Sequence, residues 1–159
     1  MLFRSVILLR LPPTICGNSY FNLKQYEPAL SDFNKAISLA PGYIEAIASR
    51  GQVYRATGQF EKAVHDYDRI LAVNPSIGGI YFARAVVYLD LKQYDKALAD
   101  LDREIASDTK LSDAYAFRAF VYTWLKKDDL AAADLAAAAS RGLNKSAIEA
   151  EIQRIKGLR

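Results

Sequence analysis

Arg50-Gly51-Gln52-Val53-Tyr54, then Gln59-Phe60-Glu61-Lys62-Ala63-Val64-His65-Asp66-Tyr67, closed by Asn74-Pro75, is the stretch that decides the fold. Displaced by 34 residues, its small residue falls on Gly17, Gly51, Ala85 and Ala119, and its tyrosine on Tyr20, Tyr54, Tyr88 and Tyr122. The same displacement aligns Ala29, Ala63, Ala97 and Ala131, and Asp32, Asp66, Asp100 and Asp134. Repetition at a fixed period of this length marks a solenoid, in which one supersecondary unit is stacked several times.

Each unit reads as two helices. In the second, Ile44 to about Thr57 places Ile47, Gly51 and Tyr54 at helical spacing, and Gly58-Gln59 interrupts it. Phe60 to Val73 then gathers Phe60, Ala63, Val64, Tyr67, Ile70 and Leu71 on one apolar face before Asn74-Pro75 stops the helix. Gly51 and Ala63 are small because two helices joined by a tight turn approach closely only over short side chains. One such pair cannot bury its apolar face alone, so the pairs must stack.

These residues resemble the tetratricopeptide-repeat (TPR) family. Gly17-Tyr20-Ala29-Phe33-Ala36-Pro41 fits the family's unit, apart from its early tryptophan, and Gly51-Tyr54-Ala63-Tyr67-Pro75 fits with Ile70 replacing the last alanine. The third unit keeps Tyr88, Tyr94 and Ala97 but carries Leu101, Glu104 and Thr109 where an aromatic, alanine and proline are expected. The fourth keeps Tyr122, Ala131 and Ala138 and has Leu143 in place of proline. The resemblance implies an all-α fold: a right-handed α-solenoid of antiparallel helix pairs, a TPR-like superhelix, with a C-terminal capping helix. Its four repeats would span 13–145, at about 10–43, 44–77, 78–111 and 112–145, after an N-terminal tail over 1–12 and before a capping helix over 146–159. Ser146 with Glu149 reads as a capping box, and Ile148, Ile152 and Ile155 as that helix's apolar stripe. Arg141-Gly142 reads as a helix end with a left-handed glycine.

The chemistry-bearing residues do not form a catalytic set. His65 is the only histidine and Cys16 the only cysteine, so paired-ligand metal motifs and an internal disulfide are excluded. No glycine-rich phosphate loop or serine elbow is present. The reading is therefore of a non-enzyme with no cofactor and no metal. With 21 basic against 18 acidic residues, the charge of +3 calls for neither nucleic acid nor an anionic membrane. Residues 1–13 are apolar but are split by Arg10 and end in Pro12-Pro13, and they fall short of a membrane span. A cytoplasmic protein with a loosely docked tail is the reading, against export or membrane attachment through that segment. Arg50, Arg84 and Arg118 each precede Asp66, Asp100 and Asp134 by sixteen residues, which predicts an arginine–aspartate pair within each helix pair. If partly exposed, such a pair is worth about 0–1 kcal/mol. In the first unit Cys16 takes the arginine's place beside Asp32.

In the family the exposed faces of the first helices line the concave groove. By that resemblance the groove would present Glu45, Ala48, Gln52 and Arg55 in unit two, Phe82, Val86, Leu89 and Asp90 in unit three, and Asp113, Ala116, Phe120, Thr123 and Trp124 in unit four. It turns from polar to apolar along the chain, and apolar residues left over after the core is assigned mark an interaction surface. The family's clamp for chaperone C-terminal tails would need lysine, asparagine and arginine where this chain has Thr14, Asn18, Ser49, Gly79 and Ala83, and only Asn18 fits. The expectation is an interaction scaffold or adaptor that takes a peptide or amphipathic helix of a partner protein. The alternative is a structural module that self-associates as a homo-oligomer through the same surface, or a fragment of a larger TPR solenoid.

Overall fold

The structure is a computed structural model that describes residues 13–107 and 111–158. The tail expected over 1–12 lies outside the described residues. Among those described, nine helices and no strands are found, in two compact units divided after Val73. The all-α array of helix pairs expected from the sequence is the architecture of each unit.

Unit 1 contains α1 (Pro13–Asn22), α2 (Tyr26–Leu39), α3 (Ile44–Ala56) and α4 (Phe60–Val73). Helices α1 and α2 pack as one pair, α3 and α4 as the next, and α2 lies against α3. Ala29, Phe33, Ala63, Tyr67 and Ile70 are buried between them. The small residues are needed for close approach. A Cβ on Gly17 would lie 2.7 Å from the Phe33 ring, and one on Gly51 would lie 3.0 Å from the Tyr67 ring.

Unit 2 contains α5 (Ile80–Asp90), α6 (Tyr94–Ser107), α7 (Ser112–Trp124), α8 (Asp128–Ser140) and α9 (Lys145–Lys156). Its pairs are α5 with α6 and α7 with α8; α6 lies against α7, and α9 packs on α7 and α8. Ala85, Leu101, Ala114, Ala119, Val121, Ala131, Ile148 and Ile152 share one core. Helix α9 starts one residue earlier than expected. Its cap is the Asn144 side chain, which accepts the Ala147 N–H at 3.2 Å, so the expected Ser146 box does not form. Glu149 instead faces Lys145 at 3.6 Å. Because α8 is rich in alanine, its contact with α9 leaves a cleft of about 370 Å³ beside Ala131, Ala132, Leu135 and Ile152, with Lys156 and Asp128 paired at its edge.

The turns within the pairs repeat one device. Gln25, Gln59, Gln93 and Lys127 donate their N–H to the carbonyls of Tyr20, Tyr54, Tyr88 and Tyr122, the six-to-one bond of a Schellman cap. The residue before each donor is left-handed. In unit 1's second pair it is Gly58 (φ 73°), but at the other three turns it is Lys24, Lys92 or Lys126, with φ of 57–59°. A side chain held there costs on the order of 1 kcal/mol. As expected, Gly142 closes α8 in the same left-handed region, with φ 96°.

Helix α5 starts later in its repeat than α3 and α7 do in theirs. It has 11 residues, where α3 and α7 each have 13, because Gly78-Gly79 stands where those helices begin with Ile44-Glu45 and Ser112-Asp113. It has no acid in its first turn, where α3 and α7 have Glu45 and Asp113, and like theirs its N-cap residue makes no side-chain cap bond. Glu104 on α6, fully buried at 0 % exposure, supplies both functions. Its Oε1 accepts the Gly79 N–H at 2.7 Å and its Oε2 the Phe82 N–H at 3.0 Å.

Candidate partner-binding surface

The sixteen-residue spacing of arginine and aspartate produces three equivalent two-pronged pairs. Arg50 Nε and Nη2 donate to Asp66 at 2.8 and 2.6 Å, Arg84 to Asp100 at 2.7 and 2.7 Å, and Arg118 to Asp134 at 2.7 and 2.8 Å. The remaining Nη1 of Arg50 reaches Asn34 at 2.7 Å and that of Arg118 reaches Asp102 at 2.6 Å, both on the preceding helix pair. The aspartates are buried, with Asp66 at 1 % exposure, while the arginine side chains remain partly exposed. Hydrogen bonds to charged groups of this kind are each worth about 1.5–3 kcal/mol. Hydrogen bonding to Asp66 and Asp134 outweighs burial and holds Arg50 and Arg118 above the ordinary arginine range.

This commitment has a chemical consequence for the single histidine. His65 is exposed, and both oxygens of its neighbour Asp66 accept from Arg50, so the carboxylate beside the imidazole is already held by a guanidinium. Among the described residues no group of three or more histidine, cysteine or carboxylate side chains is arranged to hold a metal ion. Nor, among them, is any helix long and apolar enough to cross a membrane.

The residues of the expected groove fall differently in the two units. In unit 1, Gln52, Arg55 and Glu45 are exposed on α3 and Ala48 is half-buried. In unit 2, Phe82, Leu89, Phe120 and Trp124 are half-buried, Asp90 and Asp113 are exposed, and Val86 and Ala116 are nearly closed off. Thr123 is fully buried and its hydroxyl donates to the Ala119 carbonyl at 2.8 Å, so it has no surface to offer a partner.

Phe82 on α5 meets Phe117 on α7 edge to face, with ring centroids 5.1 Å apart, and Phe117 meets Phe120 at 5.6 Å. Trp124 stacks on Tyr94 with centroids 6.0 Å apart, which anchors the other end of α7 to α6. Phe82, Phe117, Phe120 and Leu89 rest on the unit 2 core yet stay partly exposed. Phe117 is absent from the sequence-derived set. The signal for it was its place one helical turn before Phe120, which the family positions alone pass over.

The family profile "Tetratricopeptide repeat" matches residues 49–112 and, in a second form, residues 16–43. Comparison with curated proteins returns no match. Among solved structures, MamA (41-end) from Desulfovibrio magneticus RS-1 is similar at a TM-score of 0.76 and 19 % identity, over 82 % of this chain and 73 % of that one. YrrB, described as a TPR protein with an unusual peptide-binding site, is similar at a TM-score of 0.71 and 20 % identity, over 89 % and 75 %. The first TPR of Spaghetti (RPAP3), bound to HSP90 peptide SRMEEVD, is similar at 0.69 and 21 %, over 72 % and 93 %. At these identities the likeness is one of fold. Together with the matched segments, the repeated turns and the small-residue contacts, it makes this chain a member of the tetratricopeptide-repeat family.

Proposed function

We propose that the protein is an interaction scaffold whose unit 2 takes up an amphipathic segment of a partner protein over Phe82, Phe117, Phe120 and Leu89. The TPR fold is in general a non-catalytic support for protein contacts, and two similar structures are described with a peptide or a peptide-binding site. The observation that carries the reading is the aromatic row left half-exposed on α5 and α7 beside the exposed Asp113, while α3 presents Gln52 and Arg55 at the same register. Aromatic side chains lose little entropy on docking and often dominate binding energy. Asp113 at the rim favours a segment with basic residues flanking its apolar face. Trp124 would contribute an edge of the surface.

The test is capture of a partner by the purified chain, with Phe120→Ala alongside and the solution mass followed across concentration. The reading requires a monomer that retains a stoichiometric partner, lost in the variant. A chain whose mass doubles with concentration, and whose Phe120→Ala form stays monomeric, would replace it with self-association.

A further inference from the structure

We infer that Glu104 is a positioning residue for the aromatic surface, acting as a capping box supplied from a neighbouring helix. The inference rests on the docking reading of Phe82, Phe117 and Phe120, and it deepens that reading by naming what holds the surface in place. In a capping box the N-cap N–H and the N–H three residues on are satisfied by two side chains of the same helix start. Helix α5 has Gly79 at its N-cap and no side-chain cap, and the two donors at those places, Gly79 and Phe82, both bond the single carboxylate of Glu104. The equivalent position is Ala36, Ile70 and Ala138 in the other three units, so a carboxylate there is not needed to close a helix pair.

Burying a carboxylate is costly unless it is hydrogen-bonded, and helix N-terminal N–H groups are well suited to it because the helix dipole adds its positive end. What Glu104 gains by this is control over a place that two glycines would otherwise leave loose. One of its two donors is the backbone of Phe82, whose ring meets Phe117 at 5.1 Å. The carboxylate thus sets where the first ring of the row sits relative to α7.

Amide hydrogen exchange and the aromatic NMR signals test this on the whole chain, using Glu104→Gln, which keeps the shape, and Glu104→Ile, which installs the residue found at this place, as Ile70, in the α3–α4 pair. The expected result is at least tenfold faster exchange at Gly79 and Phe82 in both variants, displaced Phe82 and Phe117 ring signals, and unchanged exchange at Ala131. Binding of the apolar dye 8-anilinonaphthalene-1-sulfonate should weaken at least threefold in the same variants. Exchange and ring signals within twofold of the parent would reduce Glu104 to a core filler and overturn the inference, as would faster exchange with unmoved rings. If neither variant folds, the unaltered chain still decides. Gly79 and Phe82 must exchange at least tenfold slower than Ser112 and Asp113 at the start of α7, and equal rates overturn the inference. Dye binding by Phe120→Ala judges the docking reading separately, since that substitution leaves the Glu104 bonds in place.

Discussion

Unit 1 closes its helix pairs with glycine against an aromatic ring, Gly17 on Phe33 and Gly51 on Tyr67, whereas the equivalent places in unit 2 hold Ala85 with Leu101 and Ala119 with Leu135. What is kept is the combined volume across the contact, because the distance between two helices is fixed by the side chains that face each other. A methyl group gained on one helix is matched by a smaller side chain on the other. The two units solve one packing problem with different residues, and they diverge in what they then leave on their first helices.

The largest effect should fall on what the units share. Asp100→Asn in unit 2 and Asp66→Asn in unit 1 should each cost about 1.5–3 kcal/mol in urea unfolding, because each weakens a two-pronged charge-assisted pair. A cost below about 1 kcal/mol in either unit would mean that the pairs are not equivalent. Next, Gly17→Ala should destabilise by about 2 kcal/mol and Gly51→Ala by about 1–2 kcal/mol, since each added methyl meets a ring. Tyr67→Leu in the Gly51→Ala background should recover most of the second loss, giving a positive coupling in a double-mutant cycle. Additive losses would break the volume argument.

The third prediction belongs to unit 1 alone. Burial pushes the Tyr67 hydroxyl up to about 12 from the ordinary 10.0, and the equivalent residues in unit 2 are leucines. Below about pH 10 tyrosine is neutral in both the folded and unfolded chain, so its contribution is fully present. Between pH 10 and 12 only the unfolded chain ionises, and stability should fall by roughly 2 kcal/mol over that window. Tyr67→Phe should flatten this alkaline fall in unit 1, as read from chemical unfolding at stepped pH. The smallest effect concerns the turns. Lys92→Gly should stabilise by about 1 kcal/mol and Gly58→Lys should cost a similar amount, because both residues are left-handed. Equal signs for the two would mean that the turn backbone relaxes.

The period made the helix pairs legible, because four copies in register reinforce weak signals that a single unit could not carry. The arginine–aspartate pairs were legible for the same reason, since Arg50 and Asp66 recur as Arg84 with Asp100 and Arg118 with Asp134. How deeply the aspartates are buried was not, because burial depends on every neighbour at once. Glu104 looked only like a departure from the pattern, and its role depends on a helix start shortened by two residues some 25 residues earlier in the chain. Phe117 was hidden because a family position predicts where a residue faces, whereas its ring is turned by its neighbours Phe82 and Phe120. Asn144 outcompeted Ser146 as the cap because its side chain reached the Ala147 amide one residue before the expected start.

Arg50 and Arg118 each hold more than their own pair. Arg50 bonds Asp66 in its own pair and Asn34 in the one before it, and Arg118 does the same with Asp134 and Asp102. Within each unit the guanidinium is thus a rivet through two successive hairpins, so that neither can peel away without releasing the other. Under a stretching force, two hairpins that share such an arginine should yield together instead of one at a time.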